Sequence, residues 1–172
     1  MRTVSPSSDV AICGIGSPEY GICDVWANFL GWPSAPRDIE SYYRVCDVSG
    51  MTGVGVSDAV LQKIGTVGQI SVQTMGDIDV DVSRLAIGTG AITRCRRCTN
   101  WARTFFWRRT TGHTRRTAAS VSFDIGIPVI IVCHSTSELP GMMALANYVP
   151  TVFPGIPVHY LPRGLPPTRT LV

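Results

Sequence analysis

The fold of this chain is decided by the stretch GIPVIIVCHSTSELPGMMALANYV, which runs from Gly126 to Val149. It begins with a continuous apolar run, which is typical of a strand buried on both faces of a sheet. A polar turn follows, and then comes a predicted helix with apolar residues on one face, namely Leu139, Met142, Met143, Ala146 and Val149. The segment STSE, Ser135 to Glu138, has capping-box spacing. Because proline favours the first turn of a helix, Pro140 could shift the helix start by one or two residues. A buried strand that leads into a helix is the unit of an α/β fold.

The rest of the chain alternates strands and helices in the same way. A short amphipathic helix is predicted in GICDVWANFLGW, ending at Gly31 just before Pro33, and a second in SDAVLQKIG, capped by Ser57 and closed by Gly65. Further strands are predicted in YYRVCDV, GQISVQTMG, SRLAIGTGAI and GIPVHYLP. We therefore predict a single α/β domain over residues 1–172, a layered fold with a mixed or mainly parallel sheet, helices packed on it and a loose tail over 162–172.

Composition fits a compact fold and gives no indication of a membrane protein. With 172 residues, 45% hydrophobic and 16% charged, the chain is long enough to bury a core. No apolar run approaches the roughly 20 residues of a spanning helix. The opening MRTVSPSSDV lacks the pattern of a secretory signal, so the six cysteines are interpreted as reduced thiols of a cytoplasmic protein.

The residues whose chemistry points most clearly to a functional site are His134 and Glu138. His134 follows the apolar strand directly, and Glu138 lies four residues further on. Functional residues of open α/β sheets collect at the carboxyl ends of strands, and imidazole with carboxylate suits a divalent metal. The alternative, a capping glutamate beside a hydrogen-bonded histidine, remains open from the residues alone.

Other candidates have simpler interpretations. Cys133 is interpreted as a small core residue, because consecutive strand residues face opposite sides of a sheet. Gly88-Thr89-Gly90 is interpreted as a tight turn, since the rest of a nucleotide-binding pattern is missing. The aspartates of GDIDVDVS lack the pattern of a calcium loop, and His159 is interpreted as an ordinary strand residue.

Several motifs together carry a resemblance to a known family. The segments AIGTGAIT, GIPVIIVCHSTSELPGMMALANYV, FPGIPVHYLPRG and PEYGICDVWANFLGW resemble the dinuclear-metal-centre proteins, known as Nif-three-like or type-two GTP cyclohydrolase I homologues. The resemblance implies hexameric rings, two divalent metal ions and metal-dependent hydrolase activity on an unassigned substrate. It implies that His134 and Glu138 are metal ligands, while the catalytic residues stay unknown.

This sequence departs from the family pattern at the other ligands. The family supplies them from a His-His pair and from an aspartate shortly before Pro-Glu-x-Gly. No His-His pair occurs here, and Asp9, the one carboxylate in SSDVAICGIGS, lies too far upstream. Because catalytic metal sites normally use at least three protein ligands, we expect an incomplete site and a chain without hydrolase activity.

The segment from Arg94 to Arg116 differs from everything around it. It holds eight of the 15 basic residues and no carboxylate, whereas the remainder has seven basic against 12 acidic residues. Cys95 and Cys98 would need a second ligand pair to bind zinc, and only His113 is a candidate. Arginine interleaved with aromatic residues suits nucleic acid, so a nucleic-acid-binding protein using 94–116 is the alternative function.

A third interpretation is that the segment is translated out of frame. With synonymous codons chosen freely, the bases of Arg97 to Gly112 read V-H-E-L-G-A-D-V-L-L-A-T-D-D-G in the neighbouring frame, which contains a strand and an acidic turn. Across Cys13 to Gly16 the neighbouring frame can likewise read Trp-Asp-Arg, with the carboxylate that the family resemblance implies there. On this interpretation segments 5–17 and 94–120 are out-of-frame translation, although the sequence alone leaves open whether they are genuine. Because an unpaired buried guanidinium is very costly, the Arg-rich segment is expected to loop out of the fold, to be disordered or to prevent normal folding.

Overall fold

A computed structural model describes residues 21–32, 43–88, 104–108, 122–124 and 126–161 of the chain. They form three helices and five strands, in the order α1 (Ile22–Leu30), β1 (Tyr43–Thr52), α2 (Gly53–Gly65), β2 (Gln73–Met75), β3 (Asp81–Gly88), β4 (Thr104–Arg108), β5 (Val129–Val132) and α3 (His134–Val152). The α/β class predicted from the sequence is confirmed.

The five strands form one sheet in the order β1-β3-β4-β5-β2. The outer pairs, β1 with β3 and β2 with β5, are antiparallel. The inner pairs, β3 with β4 and β4 with β5, are parallel. The carboxyl ends of β3, β4 and β5 therefore lie at one edge of the sheet, and α3 begins at that edge.

The core lies between this sheet and the first two helices. Trp26 of α1 is fully buried and stacks on Phe29, with ring centroids 5.5 Å apart. The cluster around Trp26 draws apolar residues from α1, α2, β1, β3 and β5, among them Leu30, Val56, Val60, Ile64, Leu85, Ile87 and Ile130. The apolar residues of α1 and α2 thus recur at helical spacing because they cover the sheet.

Helix α1 agrees with the sequence prediction, whereas α2 ends at Gly65 as predicted but begins four residues earlier. Gly31 takes the left-handed conformation (φ 90°), and its N–H donates to the carbonyls of Ala27 and Asn28, as expected of a C-terminal glycine. Helix α2 begins at Gly53, with Thr52 as its cap, because the Thr52 side chain accepts a hydrogen bond from the Gly55 N–H (3.1 Å). The predicted cap, Ser57, lies inside the helix, where its hydroxyl donates to the Gly53 carbonyl (2.8 Å).

The predicted capping box of α3 is also wrong. The helix begins at His134, and its cap is Cys133, whose side chain makes no capping bond. The Ser137 hydroxyl donates instead to the carbonyl of His134 (2.9 Å). The predicted strand in GIPVHYLP is absent from its described part, since residues 155–161 are neither strand nor helix, and β2 is limited to three residues.

Helix α3 is buried only in its first half. Its buried residues all precede Met142, namely Thr136, Ser137, Pro140 and Gly141. Of the apolar face predicted for this helix, Met142 and Met143 are exposed, while Leu139, Ala146 and Val149 are partly buried, so the face is only partly covered within the described part of the chain. None of the helices described has the length and hydropathy needed to cross a bilayer.

The Arg-rich segment contributes a strand. Residues Thr104–Arg108 form β4 in the middle of the sheet, so the expectation that the segment loops out is wrong for these five residues. The other residues of 94–120 lie outside the described part of the chain, as do segment 5–17 and the tail 162–172.

The edge strand β1 contains a bulge. Its register with β3 shifts between Asp47 and Met51, and Gly50 takes a positive φ of 86° within the bulge. The Asp47 carboxylate accepts hydrogen bonds from the backbone N–H (2.8 Å) and the hydroxyl (2.6 Å) of Ser49. Both hydrogen bonds stabilise the carboxylate and hold the pKa of Asp47 below its ordinary value, and the bond from the hydroxyl has the larger effect.

A buried ion pair connects α1 to β1. The guanidinium of Arg44 bonds the carboxylate of Asp24, and both side chains are almost completely buried. Burial lowers the pKa of Arg44, and the neighbouring thiols of Cys23 and Cys46 oppose that effect. Burial also raises the pKa of the Cys46 thiol to about 11, against an opposing effect of Arg44. The pair therefore fixes how α1 lies against the sheet.

The raised pKa of Cys46 predicts a loss of stability in alkali. A thiol whose pKa is higher in the folded than in the unfolded state favours folding fully below the unfolded value of 9.0, and that contribution is lost between pH 9.0 and about 11. Urea unfolding at pH 8 and pH 10.5 should therefore show a larger fall in midpoint for the parent chain than for Cys46→Ala. Equal falls would mean that other groups cause the alkaline effect.

Candidate metal centre

His134 and Glu138 are brought together at the junction of β5 and α3. Strand β5 ends at Val132, Cys133 caps the helix, and His134 is the first helical residue. The i,i+4 spacing places the two side chains on one helix face. His134 Nε2 and Glu138 Oε2 lie 3.1 Å apart, with side-chain exposures of 39% and 31%. The pair is thus half-buried and still open to a solvent-borne ligand.

The junction is anchored by a contact from far along the chain. The N–H of Cys133 donates to the side-chain Oε1 of Gln69 (3.1 Å), which lies in the loop after α2. The N–H of Ser137 donates to the Cys133 carbonyl (3.2 Å). Sequence reasoning missed Gln69, because no local pattern indicates that it contacts a residue 64 positions away.

The first half of α3 is also held from the side by α1. Gly141 packs so closely on Ile22 that a Cβ at position 141 would lie 2.8 Å from Ile22 Cγ1 and 3.2 Å from Ile22 Cα. A contact of this kind leaves no room for a larger residue without movement of one helix. The orientation of the His134 turn therefore depends on α1 as well as on β5.

The imidazole and carboxylate of the pair are ligand types that fit a divalent ion. Two ligands are too few, however, to complete a metal site. A histidine nitrogen and a carboxylate oxygen are ligands that zinc and other borderline metals accept. Among the described residues, however, no group of three or more His, Cys, Asp or Glu is placed to hold a metal. The site as described therefore offers two ligands, one fewer than catalytic zinc sites use.

The other candidates stay apart from this pair. Cys133 is exposed, so its interpretation as a core residue is wrong, because it caps the helix instead of continuing the strand. The Asp79 N–H donates to the Asp77 carboxylate (3.0 Å) in an exposed loop, as expected of a solvated turn. His159 is exposed and Gly88 ends β3, while residues 89–90 lie outside the described part.

The described elements define an α/β protein with a His-x-x-x-Glu pair where a parallel strand meets a helix. Its fold is shared with solved structures. A Staphylococcus aureus hypothetical protein, SA1388, is 15% identical with a TM-score of 0.66, and the match covers 88% of this chain and 64% of that one. The protein ybgI, described as of unknown function, is 18% identical with a TM-score of 0.62, covering 80% and 54%. A Bacillus cereus protein related to NIF3 is 14% identical with a TM-score of 0.54, covering 76% and 35%.

The match is one of fold and of partial length. This chain spans about a third to two thirds of the length of those three proteins. No protein-family model matches the sequence, and no curated protein matches it either. The similarity of this chain to those proteins is therefore seen in the three-dimensional fold.

Proposed function

We propose that this chain is a member of the dinuclear-metal-centre family, the Nif-three-like proteins, and that His134 and Glu138 form part of its divalent-metal site. The observation that carries the proposal is the 3.1 Å His134–Glu138 pair at the carboxyl end of β5. Two further facts support it, namely the fold shared with a protein related to NIF3 and the family's His-x-x-x-Glu spacing.

The roles of the two side chains follow from their chemistry. His134 would bind through a neutral imidazole nitrogen and Glu138 through a carboxylate oxygen. Strand β5 and the Gln69 contact hold the helix start in place, so both donors are oriented before a ligand arrives. A bound ion would supply Lewis acidity and an activated water for hydrolysis. With two ligands, the chain as written is expected to bind metal weakly and to lack hydrolase activity.

Metal binding by the purified chain tests this proposal. We expect less than one zinc ion per chain by elemental analysis after dialysis, and weak zinc binding by calorimetry. His134→Ala and Glu138→Gln should each abolish that binding, since one remaining ligand cannot retain the ion. His159→Ala removes an exposed histidine outside the pair and serves as the matched control.

Two results would contradict the proposal. One is zinc binding that persists unchanged in both His134→Ala and Glu138→Gln. The other is a content of two tightly held ions in the parent chain, which would mean that the ligand set is complete. Far-ultraviolet circular dichroism of each variant checks that the loss of binding is not a loss of fold.

By the same resemblance we propose a cytoplasmic homo-oligomer, a hexameric ring in the complete proteins. Sedimentation of the purified chain tests the assembly.

The alternative function, nucleic-acid binding through residues 94–116, is less favoured, because five of those residues form β4 inside the sheet. Affinity for single-stranded DNA that falls steeply with salt would support it.

A further inference from the structure

The second half of α3 and the segment that follows it present an exposed apolar surface. The buried residues of the helix end at Gly141, which packs on Ile22 of α1. Beyond that point every residue as far as Leu161 is exposed or half-buried. Six large apolar side chains in this stretch are between 46% and 84% exposed, namely Met142, Met143, Val152, Phe153, Ile156 and Leu161. Their number within residues 142–161 marks this surface as a candidate interface.

The size of this surface fits a contact between proteins. Together the six side chains expose on the order of 650 Å², which is above the roughly 300–600 Å² of the largest apolar patch on a typical monomer. A standard interface buries about 800 Å² on each partner, and part of that area belongs to a polar rim around an apolar centre. The six side chains therefore provide enough apolar area for the centre of a stable interface.

Helical spacing gathers part of this surface into one stripe. Met142, Leu145, Val149 and Val152 follow one another at intervals of three and four residues, which places them on one face of α3. The same alternation marks the core positions of a coiled coil, along which two helices pack. Met142 and Val152 are exposed at the two ends of the stripe, and the two residues between them are half-buried. A second helix can therefore pack along the stripe.

The charge of this surface favours a second copy of the chain as the partner. From Leu139 to Pro162 the sequence contains no aspartate, glutamate, lysine or arginine. A nucleic acid or a charged peptide would find no group here to pair with. Helices that bind membrane surfaces are rich in lysine and arginine on their polar face, and α3 contains neither residue. Two copies of an uncharged surface, by contrast, meet without repulsion between like charges.

We propose that two copies of this chain associate through the second half of α3, with the two helices antiparallel about a twofold axis. In a twofold contact each pair of residues occurs twice, so Met142 of one copy packs on Val152 of the other, and Leu145 packs on Val149. The family resemblance implies an oligomer without indicating which surface joins its subunits. The proposed contact rests on the exposed surface of α3 and not on the metal site, so the zinc measurements do not bear on it.

Sedimentation equilibrium of charge variants tests the contact. The parent chain is expected to have the mass of two chains or of an even multiple of two. Met142→Glu and Val152→Lys should each weaken the association at least about tenfold, because each places an unpaired charge in an apolar interface. Asn147→Glu adds a negative charge to an exposed position of the same helix outside the stripe, and as the matched control it should leave the mass unchanged. Circular dichroism checks that each variant keeps its fold.

A mixture of the two variants tests the antiparallel arrangement. Equimolar Met142→Glu and Val152→Lys chains should regain most of the association of the parent chain, because the introduced carboxylate of one copy then faces the introduced ammonium of the other. Association that survives both single substitutions, or a mixture that stays dissociated, would overturn the proposal. A monomeric parent chain at high micromolar concentration would also overturn it, and would mean that another segment of the chain or another protein covers this surface.

Discussion

Replacing Arg44 by methionine is expected to lower the free energy of unfolding by about 3–5 kcal/mol, because the change leaves the buried Asp24 carboxylate without the guanidinium that offsets its desolvation. Arg44 and Asp24 join β1 to α1, and their side chains are 2% and 10% exposed. Methionine retains most of the length of the arginine chain, so the effect reports on charge more than on volume. Urea denaturation at pH 7 measures it.

A double variant separates the ion pair from the packing. Asp24→Leu combined with Arg44→Met should recover most of the loss, since an apolar pair of similar volume often matches a buried ion pair in stability. Arg84→Met removes an exposed arginine from β3, the neighbouring strand, and should change stability by no more than about 0.5 kcal/mol. A double variant as unstable as the single one would show that shape, and not charge, holds α1 to β1.

The second large effect is expected at Gly53, the first residue of α2. A Cβ there would lie 2.6 Å from the carbonyl oxygen of Ile78 and 3.1 Å from its Cα. The backbone cannot retreat easily, because the Val54 N–H donates to the same Ile78 carbonyl (2.8 Å). We therefore expect Gly53→Ala to lower the free energy of unfolding by about 1–3 kcal/mol.

The same helix provides the control for this prediction. Gly65 ends α2, and no atom lies within 4 Å of a Cβ built on it. Gly65→Ala should leave stability unchanged or raise it by up to about 1 kcal/mol, because alanine is the better helix former. Similar losses from both substitutions would mean that the chain tolerates no change in α2 and that the Ile78 contact is not the cause.

What the sequence predicts correctly here is what neighbouring residues determine. The end of α1 follows from Gly31 and Pro33, and the proximity of His134 to Glu138 follows from their helical spacing. The start of α2 was missed because Ser57 was taken as the cap, whereas Thr52 caps the helix and Gly53 contacts residues 78 and 80, more than twenty positions away. Glycines at 53 and 55 also weaken any local helix signal.

The contacts that hold the candidate site were out of reach for the same reason. The Gln69–Cys133 bond and the Arg44–Asp24 pair join residues 64 and 20 positions apart, and neither has a local signature. Strand β4 was predicted to leave the fold because its composition was judged alone. Its pairing with β3 and β5 assigns it to the sheet despite that composition.

The bulge in β1 has a consequence for how this protein would meet other β-structure. An edge strand with a regular ladder invites a strand from another molecule, which is a common route to aggregation. In β1 the ladder is interrupted between Asp47 and Met51, and the Asp47 carboxylate, tied to Ser49, holds a negative charge there. The opposite edge, β2, has three residues. Both edges of the sheet formed by the described residues are therefore poor templates for fibril growth, and the lowered pKa of Asp47 keeps its charge in place to lower pH than that of an ordinary carboxylate.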